Sequence, residues 1–185
     1  MKLSKRGEYA LRALIDFGIA RELGRSMLNV TELAEKERLP QKFLHAILAD
    51  LKEAGYLETK RGKQGGYSLA KPSKQIVLGA VVRAIEGPLA PIRCVSQMDY
   101  QRCSCPDEEH CGLRMLMLDV RNAIARILDH YTLGDIVEIT VRKMKRDGVP
   151  IPFLIDGPKA PKTSPRPGGH PEFAEGGFLE ELFRR

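Results

Sequence analysis

Four cysteines, Cys94, Cys103, Cys105 and Cys111, fall within one polar stretch of 18 residues, and no other position in the chain holds one. Free cysteine ordinarily behaves as a small buried apolar residue; four of them among Ser, Asp, Glu and Pro are poorly explained that way. Thiols at this density suit an iron–sulfur cluster, a zinc ion or a reversible thiol switch. Structural zinc commonly takes cysteine pairs about two to four residues apart. Here Cys103-Ser104-Cys105 is tighter than that, and the other gaps are wider. An iron–sulfur cluster accepts broader spacing, because its ligands reach separate irons. It is the favoured reading, with the thiol switch next.

Composition bounds what can hold such a stretch. The chain has 185 residues, 43% hydrophobic and 29% charged, which suits about one domain around an apolar core. No apolar run approaches the roughly 20 residues that span a bilayer. The opening MKLSKRGEYALRAL is broken by Arg6, Glu8 and Arg12, and so lacks the apolar core of a secretion signal. A cytoplasmic location without membrane association is expected, where thiols stay reduced and structural disulfides are rare. The net charge of +6 is unevenly placed: residues 1–75 carry 15 Lys and Arg against 9 Asp and Glu, and residues 76–185 carry 15 of each. A basic segment joined to a neutral one suits a polyanion-binding module with a separate regulatory part.

Within residues 1–75, Ser4 is placed to cap a helix running to Leu23, with Leu11, Leu14, Ile15, Gly18 and Ile19 at helical spacing. Asn29, with Glu32 three residues on, has the form of a capping box opening a short second helix with Leu33 inward. Pro40 suits the first turn of a third helix. That helix would carry Phe43, Leu44, Ile47, Leu48 and Leu51 inward and stop at Gly55. Two short strands around the basic turn Arg61-Gly62-Lys63-Gln64-Gly65-Gly66 predict a β-hairpin. Helix, turn, helix and basic hairpin together make a winged helix-turn-helix, which lays a helix in the DNA major groove.

Residues 76–146 read as helices on either side of the cysteine stretch. Val77, Val81, Val82 and Ile85 form an apolar stripe ending at Gly87-Pro88, and Leu113 to Leu128 is a long amphipathic run. Thr132 caps a last helix to about Arg146. The long helix is a natural dimerisation element; packing against its own domain is the alternative. Residues 147–185 form a Pro/Gly-rich tail expected to be disordered, since residues 147–175 hold seven of the twelve prolines. The expected fold is therefore mainly α with a small β-hairpin wing. Its parts are a DNA-binding domain (1–75), a cysteine-loop and dimerisation region (76–146) and a tail (147–185).

In such a module, basic side chains on phosphates supply affinity, and side chains on base edges supply sequence choice. Gln41, Lys42 and His45 lie on the outer face at the start of the third helix. A Gln amide pairs bidentately with an adenine edge, and Lys42 suits guanine or a phosphate. In the wing, Arg61, Lys63 and Gln64 are set among Gly65 and Gly66, which let the backbone approach closely and would place an Arg in the minor groove. Lys2, Lys5 and Arg6 are candidate phosphate contacts. No phosphate loop, Ser-His-Asp order or metal-hydrolase motif is present, so an enzyme is not expected.

The opening MKLSKRGEYALRAL, the wing RGKQGGYSLAKP, the string CPDEEHCGL and the later TLGDIVE resemble the IscR/NsrR/RirA-type winged-helix transcription regulators, over residues 1 to about 146. The resemblance implies a homodimeric, generally repressing regulator that binds a double-stranded DNA operator. Its affinity would depend on a 2Fe–2S or 4Fe–4S cluster sensing iron, redox state or nitric oxide. The family's three ligand positions match Cys94, Cys105 and Cys111, although the gap from Cys94 to Cys105 is longer than usual. Cys103 is an additional thiol, able to replace Cys105 or to serve as a fourth ligand. In some members a carboxylate near the N-terminus of the partner chain completes the site, and Glu8 stands at that position. In others a histidine three residues after the last cysteine does so; Arg114 occupies that place, and His110 is a spare candidate. A cluster-free regulator with a thiol switch is the alternative, and an electron carrier would leave the basic hairpin idle.

Overall fold

The computed structural model describes residues 3–62 and 65–153. Lys2, Lys63, Gln64 and the chain beyond residue 153 lie outside the described residues.

Helix α1 (Lys5–Glu22) starts where the Ser4 hydroxyl accepts the Gly7 N–H, which satisfies one of the unpaired donors of the first turn. Helix α2 (Val30–Glu37) starts in the same way at Asn29, whose side chain accepts the Glu32 N–H at 2.8 Å. The expected capping box is not closed by Glu32. Its carboxylate instead meets Arg25 in a two-point ion pair at 2.5 and 2.8 Å, a stronger partner than a backbone amide. Helix α3 (Gln41–Glu53) follows Pro40 and ends before Gly55, whose positive φ of 76° lets the chain turn into the hairpin. Strands β1 (Leu57–Lys60) and β2 (Gly66–Leu69) pair antiparallel with Leu57 opposite Leu69, and Leu28 bridges to Tyr67 on the other side of β2.

A 3-10 turn (Ser73–Gln75) leads to α4 (Leu78–Glu86), and a second (Arg93–Val95) precedes the cysteine loop. Helix α5 (Gly112–His130) is followed by α6 (Leu133–Arg146), which opens with a full capping box between Thr132 and Asp135. The bridge between Val77 and Thr132 joins the entrances of α4 and α6, so Val77 precedes its helix rather than lying on the helical stripe.

One apolar core runs through these elements. Leu14, Phe17, Leu44, Leu48, Leu51, Val81, Leu133 and Val137 belong to it, so α1 is packed between the recognition side and α4 and α6. Phe43 departs from expectation: Leu44, Ile47, Leu48 and Leu51 already fill the inward stripe, and Phe43 stays 39% exposed on the flank, edge-on to Tyr9 at 5.9 Å. Helix α5 is attached by the Arg83–Asp129 ion pair at 2.6 Å, yet none of its residues is fully buried. Ile151 and Phe153, at the start of the proline-rich segment, pack back against the core, and the Arg25 guanidinium lies 5.9 Å from the Phe153 ring. Up to residue 153 that segment is therefore anchored rather than a detached linker.

Candidate functional site

Gln41, Lys42 and His45 are all exposed on the outer face of α3, and Ala46 and Ala49 continue that face with no bulk. The His45 ring meets Tyr67 of β2 edge-on at 6.0 Å, which couples the helix to the hairpin. Arg61 is exposed where the wing begins. The wing glycines are required by space: a Cβ on Gly65 would stand 2.8 Å from the Gly62 carbonyl oxygen, and one on Gly66 2.5 Å from that of Leu28. The outer face of α3 and Arg61 at the start of the wing are thus both exposed, polar and cation-bearing.

The N-terminal cations are less free. Lys5 donates to Glu8 at 2.7 Å, and Arg6 donates to Asp50 near the far end of α3 at 2.6 Å. Glu8, also 3.6 Å from Arg12, is held below the usual carboxylate range by its hydrogen bond to Lys5.

Behind the surface lies a charged network that sequence patterning did not single out. Asp16 is 1% exposed and pairs with Lys36, which also donates to Glu37 at 2.7 Å; Arg12 meets Glu37 at 2.5 Å. Burial pushes the Asp16 carboxyl up to about 7 against the opposing pull of Lys36. Glu37, despite its burial, is kept below its ordinary value by Lys36. The next residue, Arg38, takes a left-handed conformation (φ 54°) and starts the turn into α3. A charged residue inside the otherwise apolar α1 stripe was the available signal.

The thiols converge. One sulfur each from Cys103, Cys105 and Cys111 lies within 4.8 Å of the others. Cys94 sits in the second 3-10 turn, 5% exposed, so one cysteine does belong to a packed region, and its thiol faces Cys103. Cys103 interacts with all three of the others. The Cys105 N–H donates to the Cys103 sulfur at 3.4 Å, while the Cys105 thiol donates to the Asp107 carbonyl at 3.5 Å. The neighbouring Cys105 holds Cys103 below the ordinary thiol range, and Cys103 in turn pushes Cys105 up to about 12. Burial raises Cys94. Glu108 organises the loop by accepting from Tyr100 at 2.9 Å and from the Cys103 N–H at 3.3 Å. Arg114, at the head of α5, pairs with Glu108 at 3.3 Å and donates to the Cys94 carbonyl at 3.3 Å. His110 turns to Asp107, 2.7 Å away.

Soft sulfur donors gathered this closely, with a backbone N–H on one of them, fit the donor set that holds iron–sulfur clusters. A winged helix with a basic reading face, joined to a helix bearing a thiol loop, defines the class of DNA-binding regulators. Residues 3–139 match the family profile Rrf2, described as an iron-dependent transcriptional regulator. The chain belongs to the Rrf2 family, and it is a DNA-binding transcriptional regulator rather than an enzyme. It is 36% identical over 137 residues to a putative HTH-type regulator, rrf2-like, of Rhodobacter capsulatus, covering 73% of this chain and 91% of that one. It is 36% identical over 138 residues to the HTH-type transcriptional regulator NsrR of Geobacillus kaustophilus, covering 75% and 90%. Among solved structures, CymR, the global cysteine regulator of B. subtilis, is similar with a TM-score of 0.62 and 27% identity, covering 75% of this chain and 97% of that one. Among the described residues, no helix is long and apolar enough to cross a membrane.

Proposed function

We propose that the protein is a cytoplasmic, homodimeric repressor whose grip on a palindromic operator follows the state of an iron–sulfur cluster on its cysteine loop. The observation that carries this reading is the convergence of thiols at the head of α5 in a chain whose other end is a winged helix. Residues 1–75 are the reading head, with Gln41, Lys42 and His45 on base edges and Arg61 in the minor groove. Lys5 and Arg6, and Lys2, Lys63, Gln64, Gly65 and Gly66 with them, serve the backbone. Residues 76–146 carry the sensor and the dimer contact. On α5, Leu113, Leu116 and Ile127 are 59%, 57% and 46% exposed, a large apolar outlay for a helix without a partner. A bound cluster supplies a link between loop segments that iron loss or oxidation removes. The chain's own part is to hold Cys94 against Cys103 through Arg114 and Glu108, and so to pass the order of the loop to α5. A pair of reading heads on one dimer axis meets its half-sites only at matched spacing.

The test is anaerobic preparation of the full chain, with iron and acid-labile sulfide counted and operator binding measured across a salt series. Cluster-loaded and stripped protein are expected to differ at least about tenfold in operator affinity, about 1.4 kcal/mol. Binding should fall linearly on a log–log salt plot as phosphate counterions are released. Equal affinity of the two forms removes the cluster as the control. A thiol switch is the second reading, favoured by the contact of Cys103 with three other thiols; it predicts instead that oxidant alone changes binding in iron-free protein.

A further inference from the structure

We infer that Cys103 is the fourth protein ligand of the metal centre, so that each chain closes its site with four thiolates of its own and takes no carboxylate from Glu8 of a second copy. This rests on the iron–sulfur reading above and specifies its ligand set.

Cys103 belongs to the compact group of thiols, from which Cys94 stands apart. Cys105 and Cys111 are grouped with it within 4.8 Å, and the buried Cys94 thiol also faces it. Its place is set by other parts of the loop. The Cys103 N–H donates to Glu108, and the Cys103 sulfur receives the Cys105 N–H at 3.4 Å. The same Glu108 carboxylate meets Arg114, which holds the Cys94 carbonyl. One ion pair therefore registers Cys94 and Cys103 against each other. Hydrogen bonds of this kind around metal ligands fix donor orientation and tune the centre.

Four thiolates saturate the protein coordination of a 2Fe–2S or 4Fe–4S cluster, which leaves no position for an oxygen donor. Glu8 for its part is engaged within its own helix by Lys5 and Arg12. Arg114 follows from the same assignment: with four sulfurs present, the position three residues after the last cysteine is free to brace the loop and need not ligate.

The experiment compares the full-length wild type with Cys103→Ala and Glu8→Ala, each purified without oxygen. Iron, acid-labile sulfide and Fe–S stretching bands in resonance Raman spectra are the readouts, and far-UV circular dichroism confirms folding. Cys103→Ala is expected to lose at least half of the iron and sulfide and to shift the Fe–S bands, whereas Glu8→Ala keeps wild-type content and bands. Full content and unshifted bands in Cys103→Ala overturn the assignment, and so does loss of cluster in Glu8→Ala. A wild type that holds neither iron nor sulfide overturns the cluster reading itself, a result distinct from either variant outcome.

Discussion

Gly18 lies in the middle of α1 against α6, and replacing it by alanine sets two effects of opposite sign against each other. Alanine is the better helix former by about 0.8–1 kcal/mol in a helix interior. The new Cβ, however, would stand well inside van der Waals contact of the Val137 Cγ2 methyl, with Val137 Cβ at 3.6 Å and Leu133 Cγ at 3.8 Å. Val137 is 1% exposed and β-branched on a helix, so its methyl has neither solvent nor a second rotamer to move into. Overpacking of this kind costs about 1–3 kcal/mol. Gly18→Ala should therefore lose about 1 kcal/mol net. Val137→Ala removes two buried methyl groups and should cost about 1–3 kcal/mol by itself. In that background the clash is absent, and Gly18→Ala becomes neutral or stabilising by up to about 1 kcal/mol. The cycle thus predicts a coupling of about 1–2 kcal/mol. Urea unfolding of the four proteins at one fixed protein concentration measures it, since the stability of a self-associating chain varies with concentration. If Gly18→Ala costs the same in both backgrounds within about 0.5 kcal/mol, the packing reasoning fails.

Two further outcomes test other parts of the molecule. Because burial raises the Asp16 carboxyl to about 7, the folded protein holds that proton more tightly than the unfolded chain does. The stabilisation is complete below the ordinary Asp value and is lost as pH rises through about 7, so the wild type should weaken relative to Asp16→Asn between about pH 4 and 7; parallel unfolding midpoints across that range would show the network to be neutral. Leu116, 57% exposed on α5, contributes little to the fold of one chain, so Leu116→Glu should weaken a dimer at least about tenfold in sedimentation while leaving the helical spectrum intact. An unchanged sedimentation profile would remove α5 as the proposed dimer contact.

Local rules read from the sequence determined the elements. Ser4, Asn29 and Thr132 each cap the helix expected of them, and the apolar spacing of Leu44, Ile47, Leu48 and Leu51 marks the buried side of α3. The glycine-rich basic turn is bracketed by the paired strands it predicts. These features depend on residues within one or two turns of each other, where a capping oxygen or a stripe acts without knowledge of the rest of the chain. The thiol loop was visible as a composition anomaly, but the place of each sulfur was not. Only the tertiary structure put Cys103 among the other three, turned Phe43 to the flank against Tyr9, and set Arg6 on Asp50 and Lys36 on Asp16. Arg6 and Asp50 are 44 residues apart and Asp16 and Lys36 are 20 apart, so each pairing depends on the path of the intervening chain, which periodicity does not encode.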